Sequence, residues 1–207
     1  MPTLLHISSS LHSDKGQSSL LAKKFVQQWQ QANTDGKVIR RDLAANPLPH
    51  LTAERFQAFI TAPEQRNEEQ LAHVQASDQL IDELKAADIV VIGLPMYNFG
   101  IPSSLKAWID HIARAGQTFK YTENGPVGLL EDRKVLLFAT RGGNYLGTPK
   151  DTQTAYMQTF LNFIGLHDIE FIYAEGLALG GEASQQALAS AEEKIEASIK
   201  AINVEAA

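Results

Sequence analysis

The chain has 207 residues, 44% of them hydrophobic and 20% charged, with a formal net charge of −6. That suits one domain, spanning 1–207, with a sizeable core, and it argues against nucleic acid or an anionic membrane as the main partner. The absence of cysteine excludes disulfides, thiolate metal sites, iron–sulfur clusters and cysteine nucleophiles. In chain order, Thr3–Ile7 reads as a buried strand and Ser8–Gln17 as a polar loop. A helix starts at Ser18, with Leu21, Phe25, Val26 and Trp29 on one face. Val38–Leu43 is a second strand, ended by the turn-rich Asn46-Pro47-Leu48-Pro49. A short helix is expected around Ala53–Ile60. A long one follows, carrying Leu71, Val74, Leu80, Ile81 and Leu84 and ending near Ala87. Ile89–Leu94 is an unbroken apolar run, the pattern of a strand buried on both faces. Ile101–Ala115 reads as a helix with Pro102 near its start. Phe119–Leu130 holds the turn signal Asn124-Gly125-Pro126 and is expected to form a small hairpin. Val135–Thr140 is the next buried strand, followed by a Gly-rich loop and a helix around Thr152–Ile164. Ile169–Ala174 is the last strand and Ser184–Ile202 the last helix.

Strands alternating with helical crossovers imply α/β architecture: a parallel sheet with helices on both faces. Five sheet strands favour the flavodoxin-like order 2-1-3-4-5 over a six-stranded dinucleotide fold. The opening MPTLLHISSS lacks the basic and apolar regions of a signal peptide, and no apolar run is long enough to span a bilayer. A cytoplasmic protein with no membrane partner is the expectation. The six histidines are scattered without metal-ligand spacing, and no G-x-S-x-G elbow is present, so neither a metal site nor a hydrolase triad is expected.

In an open parallel sheet, ligands bind beyond the carboxyl ends of the strands. Three loops there are unusual. The first, Ser8–Ser19, leads into a helix, whose free N–H groups and positive dipole end suit a phosphate. Its serines add donors, and Gly16 permits close approach. An ordinary capped helix start has the same composition, so this loop alone leaves both readings open. It matches neither a Walker loop nor a G-x-G-x-x-G turn. The second, Pro95–Pro102, places Tyr97 and Phe99 around Asn98 at the end of a buried strand, a wall for a flat heteroaromatic ring. The third, Thr140-Arg141-Gly142-Gly143-Asn144-Tyr145, exposes backbone N–H groups that can stabilise negative charge.

An ordered set of segments then carries a resemblance over nearly the whole chain: Arg41–Pro47, Pro95–Phe99, Ala113–Gly116, Thr118–Leu129 and Arg141–Gly143. The chain resembles the FMN-dependent NADH:azo and quinone oxidoreductases, the azoreductases. The resemblance implies a homodimer with one non-covalent FMN per subunit at the interface. It implies that Ser10, Gly16, Gln17 and Ser18 hold the phosphate, that Met96, Tyr97, Asn98 and Phe99 line the isoalloxazine ring, and that Thr140, Arg141, Gly142 and Gly143 contact its pyrimidine side. Gly16 stands where many relatives carry a side-chain donor, so only its backbone contributes. The implied cycle is ping-pong and flavin-mediated: NADH or NADPH gives up hydride and leaves before a quinone or azo compound takes its place, with no protein nucleophile or metal needed. Phe99 and Tyr121 are the leading substrate-pocket residues, with Phe56, Phe59 and Phe163 as secondary ones. Tyr145, two residues past Gly143, is a candidate proton donor or flavin-edge contact. The main rival is a one-electron carrier, against which the first loop and the extra segment after Gly116 both argue.

Overall fold

The computed structural model describes residues 1–205, so Ala206 and Ala207 of the expected domain lie outside the described residues. The central strands form where the sequence is most continuously apolar. Strand β3 (Ile89–Pro95) is buried at every position, and β6 (Lys134–Thr140) at every position but the first. With β1 (Thr3–Ser8), β2 (Lys37–Asp42) and β7 (Ile169–Ala174) they make a five-stranded parallel sheet, ordered β2-β1-β3-β6-β7. Strands β4 (Phe119–Thr122) and β5 (Gly125–Gly128) form a separate antiparallel hairpin, inserted where the turn signal predicts one. Counting sheet strands alone, the order is the expected 2-1-3-4-5.

Alternate residues along each central strand feed two apolar layers, as the period of a strand requires. Val90, Ile92 and Leu94 of β3 face one layer, filled by α3 (Glu68–Ala86), α4 (Ser103–Ile112) and α5 (Thr152–Ile164). Ile89 and Val91 face the other, filled by α1 (Gln17–Ala32) and α6 (Gly181–Glu205). A further short helix, α2 (Ala53–Ile60), packs on α3. Fully buried Trp29 and Trp108 anchor α1 and α4 to opposite faces. The helix starts are set locally. Asn67 and Gln70 form a capping box at α3, and the Asp151 carboxylate accepts the Thr154 N–H at α5. Where helix and loop limits differ from the sequence reading, they do so by a few residues at frayed ends, as for α6, which begins at Gly181 instead of Ser184. This arrangement gathers the ends of β1, β3 and β6 at one edge of the sheet.

Candidate active site

The loop after β1 ends at α1, whose N-cap is Gly16 and carries no side-chain cap. The first N–H groups of a helix have no intrahelical partner, so at α1 they are left to an external acceptor. Gly16 is required here by space, not by its dihedrals. A Cβ at this position would stand 2.1 Å from Ser10 Oγ and 2.7 Å from Ser10 Cβ. Ser10 is therefore seated directly beside the helix start. Its hydroxyl accepts the His12 N–H at 3.2 Å and lies 3.3 Å from the Tyr97 hydroxyl. Tyr97 Oη also accepts the Leu11 N–H at 3.2 Å. The first and second loops are thus joined through one phenol.

The second loop turns back through a two-residue reversal. Tyr97 and Gly100 exchange both backbone hydrogen bonds, at 3.1 and 3.0 Å. Between them Asn98 and Phe99 have φ of 50° and 65°. This is the geometry of a type I′ turn, which favours Asn-Gly at its centre. A phenylalanine at positive φ is costly, and the residue remains 48% exposed, so burial does not explain it. The ring meets Tyr145 edge-on at 5.5 Å, placing the two aromatics of the second and third loops together.

The third loop is held from behind. The carbonyls of Arg141, Gly142 and Gly143 accept the N–H groups of Leu177, Ala178 and Gly176 at 3.1, 2.9 and 3.1 Å. With the carbonyls committed to the segment after β7, the opposite side of this glycine stretch presents N–H groups. The side chain of Arg141 does not reach the cleft. It is fully buried and donates to Glu175 at 3.0 Å, Asp151 at 2.7 Å and Thr154 at 2.9 Å. Its guanidinium also lies 5.0 Å from the centre of the Tyr173 ring. Burial pushes the Asp151 carboxyl up, but the hydrogen bonds from Arg141 and Thr154 outweigh it and hold the group below its usual range. Glu175 passes the restraint on by accepting the N–H groups of Tyr145 and Leu146 at 2.9 and 3.0 Å.

These three loops meet in a cleft of about 170 Å³ whose walls include Ser10, Gly16, Gln17, Met96, Tyr97, Thr140, Arg141 and Gly142. Other predicted positions stand differently. Ser18 is buried at the start of α1 and is not among the residues lining the cleft, and Arg141 offers the cleft only its backbone. Asn98 and Phe99 form the exposed tip of the second loop, and Gly143 packs on the Tyr145 ring, whose hydroxyl would lie 2.7 Å from a Cβ there. Tyr121 is not among the cleft residues of its own chain. It is 74% exposed on the hairpin and lines a different cavity of about 440 Å³ with Phe56, Phe59 and Phe119. Phe163 packs on Phe119 at 4.3 Å, and Phe59 under Arg114 at 4.9 Å. Among residues the sequence reading missed, His12, Pro95 and Leu177 complete the cleft wall. Asp151, Thr154 and Glu175 act behind it, and no local spacing links them to Arg141.

The cleft is not the largest hollow. A groove of about 440 Å³ lies between α1 and β2, and one of about 520 Å³ over α4 and α5. Neither combines an uncapped helix start with an N–H-presenting glycine loop. The smaller cleft does, so it suits a ligand with an anion at one end and an electron-accepting heterocycle at the other. FMN has this form. A Gly16 cradle that a Cβ would fill, and a helix start without a cap, fit its phosphate.

Comparison with known proteins agrees with that geometry. A family model described as the flavodoxin-like fold matches residues 2–199. The FMN-dependent NADH:quinone oxidoreductase of Cellvibrio japonicus (strain Ueda107) is 57% identical over 201 residues, which are 97% of this chain and 100% of the relative. The chain belongs to this family. Among solved structures, azoreductase from Bacillus anthracis str. Sterne superposes with a TM-score of 0.87 at 28% identity, covering 97% of this chain and 100% of that one. An FMN-dependent NADH-azoreductase from Bacillus anthracis str. Ames Ancestor, in complex with FMN, gives 0.88 at 26% identity, covering 98% and 100%. Among the described residues no group of side chains forms a metal site, and no helix is long and apolar enough to cross a membrane.

Proposed function

We propose that the protein is an FMN-dependent NAD(P)H:quinone oxidoreductase and azoreductase that works as a homodimer in the cytoplasm. The observation that carries this reading is the cleft in which an uncapped helix start and the N–H side of a glycine loop converge beside the Met96–Tyr97 backbone. The names of its relatives supply NADH as donor and quinones as acceptors, and those of its structural neighbours add azo compounds. NADPH remains an alternative donor. Bound FMN supplies the redox chemistry, taking hydride from a reduced nicotinamide and yielding two electrons to the acceptor.

The protein's part is binding, orientation and electrostatics. Ser10 and the N–H groups of Gln17 and Ser18 hold the phosphate, with Gly16 giving room. Met96 and Tyr97 run along the ring edge, with Asn98 and Phe99 at its exposed side. The N–H groups of Gly142 and Gly143, after Thr140 and Arg141, stabilise negative charge on the pyrimidine side. Phe99 and Tyr145 form an aromatic surface against which a flat donor and then a flat acceptor would stack at one place, which supports a ping-pong order. A second protomer fits two features. One cleft of about 170 Å³ is smaller than a pocket that encloses a cofactor-sized ligand. Exposed Tyr121 and Phe56 lie on an aromatic surface suited to closing a partner's site. The test is anaerobic stopped-flow absorbance of FMN-loaded protein with NADH and then benzoquinone. Complete bleaching followed by fast reoxidation is expected, with parallel double-reciprocal plots. Sluggish bleaching by NADH would favour an electron carrier, and failure to take up FMN would remove the reading altogether.

A further inference from the structure

The first turn of α5 grips both the second and the third loop. Asp151 and Thr154 bind the Arg141 guanidinium. The two residues between them reach the other way. Gln153 Nε2 donates to Pro95 O at 3.0 Å and Gly100 O at 3.4 Å, and the Thr152 hydroxyl donates to Phe99 O. Gln153 is 1% exposed. Its amide orientation is fixed by its partners, since the reverse placement would set a carbonyl oxygen against two others. Its own Oε1 has no protein partner. A buried acceptor is thus left unsatisfied so that the amino group can hold two carbonyls that bracket the reversal at Asn98 and Phe99.

That reversal needs holding. Two successive non-glycine residues at positive φ disfavour the turn, and such strain persists only where surrounding contacts over-determine it. On one side the turn has its own Tyr97–Gly100 pair and the Phe99–Tyr145 ring contact. On the other it has Gln153 and Thr152. We propose that Gln153, assisted by Thr152, is a positioning residue that fixes the Pro95–Gly100 backbone in the geometry that receives the flavin ring, coupling it to the Arg141 brace of the third loop through one turn of helix. This rests on the FMN reading above. It assigns to Gln153 a part in setting flavin affinity and potential without touching the flavin.

The test uses Gln153→Leu, which keeps the bulk and loses the donor, and Thr152→Val, which removes the hydroxyl at an exposed position. Three quantities are measured: the urea midpoint of each apo-protein, the FMN dissociation constant from quenching of flavin fluorescence, and the two-electron midpoint potential of each FMN-loaded protein. Gln153→Leu is expected to weaken FMN by about tenfold or more, the scale of a lost hydrogen bond plus a relaxed binding loop, and to move the potential. Thr152→Val is expected to move both in the same direction by less. Unchanged affinity and potential in the variants, whatever happens to the urea midpoint, overturn the inference, because a packing role alone moves only stability. If Gln153→Leu does not fold, Thr152→Val decides. A wild-type protein that binds no FMN would refute the proposed function instead, so the two failures are distinguishable.

Discussion

Replacing Gly16 by alanine probes the proposed phosphate end directly. The backbone there is extended, with φ −71° and ψ 146°, so alanine adopts it without strain. The added methyl is the difficulty, because it would lie 2.1 Å from Ser10 Oγ and 2.7 Å from Ser10 Cβ. Ser10 is 2% exposed and tied to His12 and Tyr97, so it has little room to move aside. Overpacking of this kind costs about 1–3 kcal/mol. If Ser10 swings away instead, the loss appears in binding, because a hydroxyl bond to a charged phosphate is worth about 1.5–3 kcal/mol, roughly ten- to hundredfold in Kd. Ser10→Gly removes both obstructing atoms. In that background, Gly16→Ala should be neutral or should stabilise by about 0.4–1 kcal/mol through a narrower unfolded ensemble. A four-member cycle of urea denaturation on the apo-proteins, with FMN titrations alongside, measures the coupling. An equal cost for Gly16→Ala in both backgrounds refutes the steric account.

Arg141→Met leaves the Glu175 and Asp151 carboxylates without their buried partner and should cost about 3–5 kcal/mol in urea denaturation; a loss below about 1 kcal/mol would show that the guanidinium is not a brace. His6 gives a pH prediction. Burial in β1, with Arg40 nearby, lowers its pKa from 6.5 to about 4. The unfolded chain therefore binds the extra proton between those values, so stability rises with pH across that window, by about 3 kcal/mol, and is complete above 6.5. His6→Gln should flatten this slope in urea midpoints measured from pH 4 to 7, and an unchanged slope would assign the dependence to other groups. At the strained turn, Phe99→Gly should leave the apo-protein more stable than Phe99→Ala by about 1 kcal/mol, since both remove the ring but only glycine relieves the positive φ. Tyr145→Phe should slow acceptor reduction while sparing FMN binding; unchanged turnover at every pH would exclude the hydroxyl from proton donation.

Much of the fold was legible because the central strands of the sheet are buried on both faces. A strand such as Ile89–Pro95 must then read as a continuous apolar run, and the run, its turn signals and the intervening helical periods follow from that one constraint. The hairpin was legible for a different reason: Asn124-Gly125 is a local turn signal, and the reversal falls at Glu123 and Asn124, with Gly125 paired to Thr122. Of the site, the sequence showed which loops meet but not which side chains face inward. Arg141 next to two glycines at a sheet edge looks like a ligand contact, yet its partners Glu175 and Asp151 lie 34 and 10 residues away, and nothing in the spacing announces them. Tyr121 lies outside the cleft of its own chain, and aromatic identity alone does not say which surface a hairpin occupies.

The same distinction explains why the third loop works as more than a flexible Gly-Gly. A glycine stretch free to rotate would present carbonyls and N–H groups indifferently, and an anionic ring edge would be repelled as often as held. Here three consecutive carbonyls are committed to Leu177, Ala178 and Gly176, and the buried Arg141–Glu175 pair holds the N–H groups of Tyr145 and Leu146 at the far end. The direction of the remaining dipoles is thereby fixed before any ligand arrives, which is the condition for electrostatic stabilisation without reorganisation cost. In the proposed site glycine supplies the access, and buried charged residues behind the loop supply the order. A site of this kind is visible in sequence only by its glycines; the residues that make those glycines useful emerge when the chain is folded.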